Sequence, residues 1–115
     1  MSDKQTSIEE IKSLIESFVL ERDWQQFHSP KNLAMSISIE SAELMEIFQW
    51  VSLEKAKEIM MKGDSRQDAI DEIADIIIYS IAFCIRNNID VSKAIKQKVK
   101  KNIKKYPAEN FRGSL

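Results

Sequence analysis

Breakers of secondary structure are almost absent from this chain, which has two glycines and two prolines among 115 residues. Ile, Leu, Glu and Lys dominate the composition, and these residue types suit helices. Strand signals are weak, because no run alternates Val, Thr and aromatic residues between turn clusters. The length is sufficient for one domain with one core. We therefore predict a single all-α domain over residues 1–115, with flexible tails at 1–5 and 108–115.

Helix-capping signals divide the chain further. Ser7-Ile8-Glu9-Glu10 is typical of a capping box, and Ser29-Pro30 is typical of an N-cap followed by proline at the first helical position. Ser52 and Asp90 are further N-cap candidates. The predicted helices cover roughly residues 7–22, 30–50, 52–63, 65–87 and 90–106. These signals together indicate a four- to five-helix bundle.

The fourth predicted helix is apolar on more than one side. At 100° per residue, Ile70, Ile77 and Ile81 share one face, whereas Ile76 and Phe83 share another. A helix that is apolar around most of its circumference is buried centrally or at a subunit interface. In a chain this small, a dimer or tetramer formed through helix faces is the expected way to cover both.

Charge and cysteine content exclude several classes of function. With 17 basic and 18 acidic residues the formal charge is −1, which gives no overall attraction to nucleic acid or to an anionic membrane. One cysteine, Cys84, excludes an intramolecular disulfide and a cysteine-based zinc site. The polar segment Met1–Glu10 lacks the apolar region of a signal peptide, and the apolar run Ile76–Ile85 is too short to span a bilayer. We expect a soluble, cytoplasmic protein.

Two pairs of acids interrupt the apolar faces of the long helices. In the second helix, Glu40 and Glu43 are three residues apart and lie among aliphatic residues. In the fourth helix, Glu72 and Asp75 repeat the spacing and align with the face that carries Tyr79. Burying unpaired carboxylates costs several kcal/mol each, so something must compensate. An all-oxygen set of this kind suits Mg²⁺ or Mn²⁺ rather than zinc.

Other interpretations of these features remain open. The acids could be exposed charges or partners of lysines, and the two-faced fourth helix could belong to a non-enzymatic helical interaction module. The lysine-rich fifth helix could contact nucleic acid, although the near-neutral total charge disfavours this. A di-iron carboxylate bundle is disfavoured because it requires Glu-x-x-His motifs, and the one histidine, His28, is in no such motif.

These motifs resemble the MazG-like all-α nucleoside triphosphate pyrophosphohydrolases. The resemblance rests on Glu40-x-x-Glu43 followed by Glu72-x-x-Asp75. The segment 22–33, Arg-Asp-Trp-Gln-Gln-Phe-His-Ser-Pro-Lys-Asn-Leu, is similar to the compact, single-domain dCTP pyrophosphatase-like branch of that family. The segments ending in Phe48-Gln49-Trp50 and covering residues 98–107 also fit that branch. The resemblance extends over about residues 21–113.

The resemblance implies a helical domain that assembles as a dimer of dimers and takes part in cleansing the nucleotide pool. Mg²⁺ would be bound by Glu40, Glu43, Glu72 and Asp75, and water would attack the α-phosphorus of a nucleoside triphosphate to release pyrophosphate. The same resemblance implies dCTP or a modified dCTP as substrate. It also implies a set of substrate contacts, which are Trp24, His28, Trp50 and Tyr79 near the base and sugar, and Lys98 and Asn102 near the phosphates and sugar.

The residues themselves support part of this assignment. Trp50 lies two turns beyond Glu43 on nearly the same line of the helix, so its indole could stack on any base. Lys98 and Asn102 are four residues apart and share a face. No Gly-rich phosphate loop or Ser–His–Asp set is present, which favours a metal-activated water. Glu43 or Glu46 is the predicted acceptor of the proton of that water.

Overall fold

A computed structural model describes residues 1–114 of the chain. Its secondary structure is helical throughout, in agreement with the all-α prediction. The elements are α1 (Ile8–Glu21), a 3₁₀ turn (Trp24–Phe27), α2 (Pro30–Phe48), α3 (Leu53–Ile59), α4 (Asp64–Arg86), α5 (Val91–Lys105) and α6 (Ala108–Phe111). The short α6 falls in the segment that the sequence predicted as a tail. Within the described residues, no helix has both the length and the hydropathy required to cross a bilayer.

The helix starts follow from local chemistry. The Ser7 side chain accepts a hydrogen bond from the Glu10 backbone N–H, and the Glu10 side chain accepts one from the Ser7 backbone, which completes the predicted capping box. The side chains of Ser29, Ser52 and Asp90 likewise accept hydrogen bonds from backbone N–H groups at the starts of α2, α3 and α5. The four predicted caps are therefore confirmed.

Packing is concentrated around α4. Helices α2 and α4 form the most extensive interface, α1 packs on α4, and α3, α5 and α6 make only light contacts with the rest of the described chain. The core at these interfaces is small and consists of Ile15, Val19, Leu33, Ile81 and Ala82. Leu33 is the most buried of these side chains, at 1% exposure.

The isolated chain is open for its size. Its radius of gyration is 17.1 Å, whereas a compact domain of this length has about 13 Å. Large apolar side chains remain exposed on several helices, including Ile77 on α4, Ile39 on α2 and Ile95 on α5. Ile77 is 50% exposed, whereas Ile81, which the sequence places on the same face of α4, is buried in the core.

Candidate active site

Three of the four acids predicted as metal ligands converge where α2 faces α4. One carboxylate oxygen from each of Glu40, Glu43 and Glu72 lies within 4.8 Å of the other two. Glu40 and Glu72 are half-buried and Glu43 is exposed. The spacing of three residues on α2 brings two acids to the same helix face, and the packing of α2 on α4 supplies the third. We refer to these three residues as the acidic cluster.

Asp75 lies beside the acidic cluster. It is half-buried, one turn beyond Glu72 on α4, and it is not part of the set that meets within 4.8 Å. Its charge nevertheless contributes to raising the pKa values of Glu72 and Tyr79. The side chain of Asp75 therefore borders the cluster.

The acidic cluster strongly perturbs its own protonation. A proton held between Glu40 and Glu72, together with burial and the Glu43 carboxylate, raises the pKa of Glu40 to about 7. For Glu72, the interaction with Glu40 lowers the pKa, but burial and the charges of Glu43 and Asp75 outweigh it and the net shift is upward. With no cation present, the cluster thus keeps a proton near neutral pH to limit repulsion.

Two oxygens of the acidic cluster have the properties expected of unused ligands. When both carboxyl groups are ionised, Glu40 Oε2 and Glu72 Oε2 are buried without a hydrogen-bond partner within residues 1–114. A buried unpartnered oxygen is unfavourable, and a cation would compensate for both the missing contacts and the repulsion. Carboxylate oxygens are ligands for hard divalent cations such as Mg²⁺. The residues present therefore fit a divalent cation.

A cavity of about 280 Å³ adjoins the acidic cluster. Its aromatic walls come from the link between α1 and α2 and from α4, and Asn32 and Ser36 of α2 add polar groups. The lining side chains include Trp24, Phe27, His28, Asn32, Ser36 and Tyr79. A concave aromatic site with a few polar groups is typical of a small-molecule site.

The two helices connect this cavity to the acidic cluster. Asn32, Ser36 and Glu40 are spaced by four residues, so they follow one another along a single face of α2. On α4, Tyr79 lines the cavity, and Glu72 lies two turns earlier. Burial, followed by the charges of Glu40, Asp75 and Glu43, raises the pKa of Tyr79, which places this phenol next to the cluster. One ligand can therefore contact both regions.

The predicted substrate contacts fall into two groups in the structure. Trp24, His28 and Tyr79 line the cavity together. Trp50 follows α2 and is 87% exposed, and neither it nor Lys98 and Asn102 of α5 lines the cavity. Lys98 is exposed and Asn102 is half-buried. Glu46, one of the two predicted proton acceptors, is exposed one turn beyond Glu43.

Sequence reasoning missed several cavity residues. Phe27, Asn32 and Ser36 line the cavity without having been predicted as site residues. For Asn32 and Ser36 a signal was available, because their spacing places both on the face of α2 that carries Glu40. Phe27 has no comparable signal beyond its place in an aromatic segment.

The fold and the acidic cluster define an all-α protein whose site lies between two long helices, and comparison with known proteins specifies the family. The model of the MazG-like family matches residues 35–114, a range that includes the whole acidic cluster. The chain belongs to the MazG-like family.

Individual relatives agree with this assignment. The chain is 35% identical over 108 residues to dCTP pyrophosphatase 1 of Rattus norvegicus and 34% identical to that of Homo sapiens. In both cases the match covers 94% of this chain and 64% of the relative, so the chain spans less than two thirds of the length of these relatives. A crystal structure of a pyrophosphatase from Archaeoglobus fulgidus DSM 4304 superposes with a TM-score of 0.82 at 39% identity, covering 93% of this chain and 98% of that one.

Proposed function

We propose that this protein is a divalent-metal-dependent nucleoside triphosphate pyrophosphohydrolase, which converts a nucleoside triphosphate and water to the monophosphate and pyrophosphate. The observation that carries the proposal is the acidic cluster with its two buried, unpartnered oxygens, next to an aromatic cavity. Membership of the MazG-like family and the similarity to proteins named pyrophosphatases support it.

The nucleoside occupies the aromatic cavity in this proposal. Trp24 offers a stacking surface, and stacking on an aromatic ring contributes about 1–3 kcal/mol per base. Tyr79 and His28 present polar atoms to the base or sugar. The triphosphate then extends along α2 and α4 toward Glu40 and Glu72, because the cavity and the acidic cluster lie on adjoining turns of the same helices.

Glu40, Glu43 and Glu72 would hold Mg²⁺ in this proposal, with Asp75 as a further candidate ligand at the border of the cluster, and Mn²⁺ is an alternative ion. The bound ion would neutralise the triphosphate and polarise the α-phosphate. Glu43, the exposed member of the acidic cluster, or Glu46, exposed one turn beyond it on α2, takes the proton of the attacking water. The bond between the α-phosphorus and its bridging oxygen breaks, and pyrophosphate leaves.

The proposed substrate is dCTP or a modified dCTP. This finer assignment rests on the similarity to proteins named dCTP pyrophosphatase 1. Stacking aromatics do not discriminate between bases, so selectivity must come from the polar groups of the cavity. His28, Asn32 and Ser36 carry polar groups in the cavity lining and are the proposed source of this selectivity.

The active form is proposed to be a homo-oligomer, a dimer or a tetramer. The chain exposes 9273 Å², whereas a compact monomer of its mass exposes about 6,500 Å². An excess of roughly 2,800 Å² is at or above the upper end of the area that one subunit buries in an obligate interface, which favours extensive burial between subunits. Trp50, Lys98 and Asn102, which lie outside the cavity in a single chain, are proposed to contact the nucleotide in the assembled protein.

The deciding experiment is a screen of deoxy- and ribonucleoside triphosphates with the purified protein, with pyrophosphate and monophosphate detected separately. Hydrolysis should require Mg²⁺ or Mn²⁺, stop with excess chelator and give equal amounts of the two products. Release of inorganic phosphate and a diphosphate would contradict attack at the α-phosphorus. Lack of turnover with every triphosphate, together with a Tm that neither Mg²⁺ nor nucleotide changes, would instead favour the non-enzymatic interaction module.

A further inference from the structure

Three side chains in contact lead from α1 to the wall of the aromatic cavity. The ring centroids of Phe18 and Trp24 are 5.6 Å apart and the ring planes are 78° to each other, which is an edge-to-face contact. The guanidinium carbon of Arg22 lies 3.9 Å from the centroid of the Phe18 ring, within the range of a cation–π interaction. Trp24 lines the cavity, whereas Phe18 and Arg22 do not. Within the single chain, these two residues can therefore influence a ligand in the cavity through Trp24.

The backbone after α1 turns back so that Trp24 meets this helix. Two residues beyond the end of α1, Asp23 adopts the left-handed conformation, with φ of 53°, which aspartate tolerates better than most residues with a side chain. The 3₁₀ turn that follows is anchored, because Gln26 Nε2 donates a hydrogen bond of 2.8 Å to the Asp23 carbonyl oxygen. This turn places the indole of Trp24 beside the ring of Phe18.

Phe18 is fixed from the side of the helix, whereas Trp24 is not. Ile15 and Val19, the neighbours of Phe18 on α1, belong to the core and anchor the helix to α4. Arg22 Nη1 donates a hydrogen bond of 3.0 Å to the Phe18 carbonyl oxygen, at the end of α1 where positive charge is favourable. Trp24 is 45% exposed on a short turn, and exposed side chains change rotamer rapidly unless contacts hold them. The contact with Phe18 supplies such a restraint.

We propose that Phe18 and Arg22 are positioning residues, which hold the indole of Trp24 as a rigid, preformed wall of the cavity. A side chain that is already ordered loses less conformational entropy when a base stacks on it, so the restraint increases the affinity for the nucleotide. Phe18 is itself 47% exposed, so its ring adds little to the core and its loss should act mainly on Trp24. The restraint on Trp24 rests on these contacts alone, whereas its benefit to nucleotide binding rests on the proposed function.

The restraint can be measured by NMR, because the two tryptophans of the sequence give two indole N–H signals. In the metal-free full-length protein we expect nuclear Overhauser effects between the Phe18 ring and the Trp24 indole. We also expect the Trp24 indole N–H to be as rigid as the α1 backbone in nitrogen relaxation. A mobile Trp24 indole in the wild type would overturn the proposal. This measurement needs no substrate, so it decides the restraint even if no triphosphate is hydrolysed.

Variants of the two positioning residues test the cause of this rigidity. Phe18→Leu removes the ring and keeps an apolar side chain, so the Trp24 indole should become mobile, whereas Phe18→Tyr keeps the ring and should leave it rigid. Arg22→Gln should loosen the indole less, because the Phe18 ring remains. The Trp50 signal should stay unchanged in all three variants. Equal rigidity of Trp24 in the wild type and Phe18→Leu would overturn the proposal. If Phe18→Leu does not fold, an unchanged Trp24 signal in Arg22→Gln, a substitution of an exposed side chain, is sufficient to reject it.

Steady-state kinetics on the triphosphate that the screen identifies test the benefit to binding. Phe18→Leu should raise KM about twofold to tenfold, the range of one edge-to-face contact, with kcat near the wild-type value, and Phe18→Tyr should keep the wild-type KM. Phe111→Leu is the matched control, because it removes one ring of another edge-to-face pair, Tyr106–Phe111, whose centroids are 5.3 Å apart. Equal rises in KM for Phe18→Leu and Phe111→Leu, or no rise in Phe18→Leu, would refute the benefit. Absence of turnover in the wild type would refute the proposed function, and the relaxation measurement would still decide the restraint.

Discussion

Helices α2 and α5 both carry apolar residues at helical spacing, but only α2 buries them within its own chain. Leu33 of α2 is 1% exposed, whereas Ile95 and Ile103 of α5 are 59% and 64% exposed. Helix α2 lies along α4, whereas α5 makes only light contacts with the described chain. The apolar spacing of a helix indicates that one of its faces packs against another surface, but it does not identify that surface.

The two helices are also stabilised differently. Within the described chain, α5 relies on local effects, since Asp90 caps its start and Lys104 and Lys105 lie at its C-terminal end, where positive charge is favourable. An isolated helix of about 15 residues is marginal in water. Within the described chain, α5 is therefore stabilised mainly by its cap and terminal charges, whereas α2 is also held by the core.

The largest expected effect is on stability and distinguishes buried from exposed apolar positions. Leu33→Ala should lower the free energy of unfolding by about 2–5 kcal/mol, the usual cost of a cavity in a core. The matched change Ile39→Ala is on the same helix, at a position that is 58% exposed in the single chain. It should therefore lower the free energy of unfolding much less. Chemical denaturation of both variants provides the measurement. Equal losses would show that the outer face of α2 is as buried as its core face.

The second prediction concerns activity, and it tests the acidic cluster between α2 and α4. Glu43→Gln or Glu72→Gln should reduce turnover at least about a hundredfold, as for loss of a group that stabilises transition-state charge. The rate of pyrophosphate release measures this loss. The control variant Glu54→Gln, on α3, should keep the wild-type rate. Near-wild-type rates in the Glu40, Glu43, Glu72 and Asp75 amide variants would refute the site.

Mg²⁺ should reverse the order of thermal stability between the wild type and the same amide variants. Without Mg²⁺, Glu72→Gln should melt at or slightly above the wild-type Tm, because repulsion within the acidic cluster falls. With saturating Mg²⁺ the wild type should melt higher, because it gains binding free energy that the variant lacks. Paired melting curves with chelator and with Mg²⁺ provide the test. A Tm difference between wild type and variant that does not change with Mg²⁺ would indicate that these acids are ordinary surface residues.

The third prediction concerns assembly, and it tests the exposed face of α5. Replacing Ile95 and Ile103 together by Ser should weaken the oligomer by about tenfold or more in its dissociation constant, given the apolar area removed. The control Gln97→Ser changes the polar side of the same helix and should have no effect. Light scattering over a dilution series measures the change. A wild-type protein that is monomeric at micromolar concentration would contradict the assembly itself.

The smallest expected effect is a pH dependence of stability that originates in the acidic cluster. Because the pKa of Glu40 is raised to about 7 in the folded state, the folded protein binds this proton more tightly than the unfolded chain. The contribution of this proton to the free energy of unfolding is complete below the ordinary glutamate pKa and is lost as pH rises toward 7. The metal-free wild type should therefore lose stability over that window relative to Glu40→Gln.

Melting curves at several pH values, compared between wild type and variant in chelator, isolate this contribution. The comparison is necessary because the lowered pKa of His28 acts in the opposite direction just below its ordinary value. Saturating Mg²⁺ should flatten the difference, since the cation replaces the proton. A constant difference between wild type and Glu40→Gln from pH 4.5 to 7 would contradict the shared proton.

Helix boundaries and fold class were predictable from the sequence because they depend on neighbouring residues. The caps at Ser7, Ser29, Ser52 and Asp90 bond to backbone groups three residues away, so the local sequence contains all the information. The acid pairs were recognisable for the same reason, since a spacing of three residues places two side chains on one helix face. The sequence alone thus determined an all-α chain with acids on its apolar faces.

Contacts between helices that are distant in sequence were decided only by the tertiary structure. The packing of α2 on α4 brings Glu72 to Glu40 and Glu43 and leaves Asp75 at their border, and the spacing of either pair does not specify that choice. The tertiary structure also brings Arg86 of α4 to Glu16 of α1, 70 residues apart. Such contacts depend on crossing angles and on the rotation of each helix about its axis, which many side chains set together. A local pattern identifies the face of a helix, and only packing determines what that face meets.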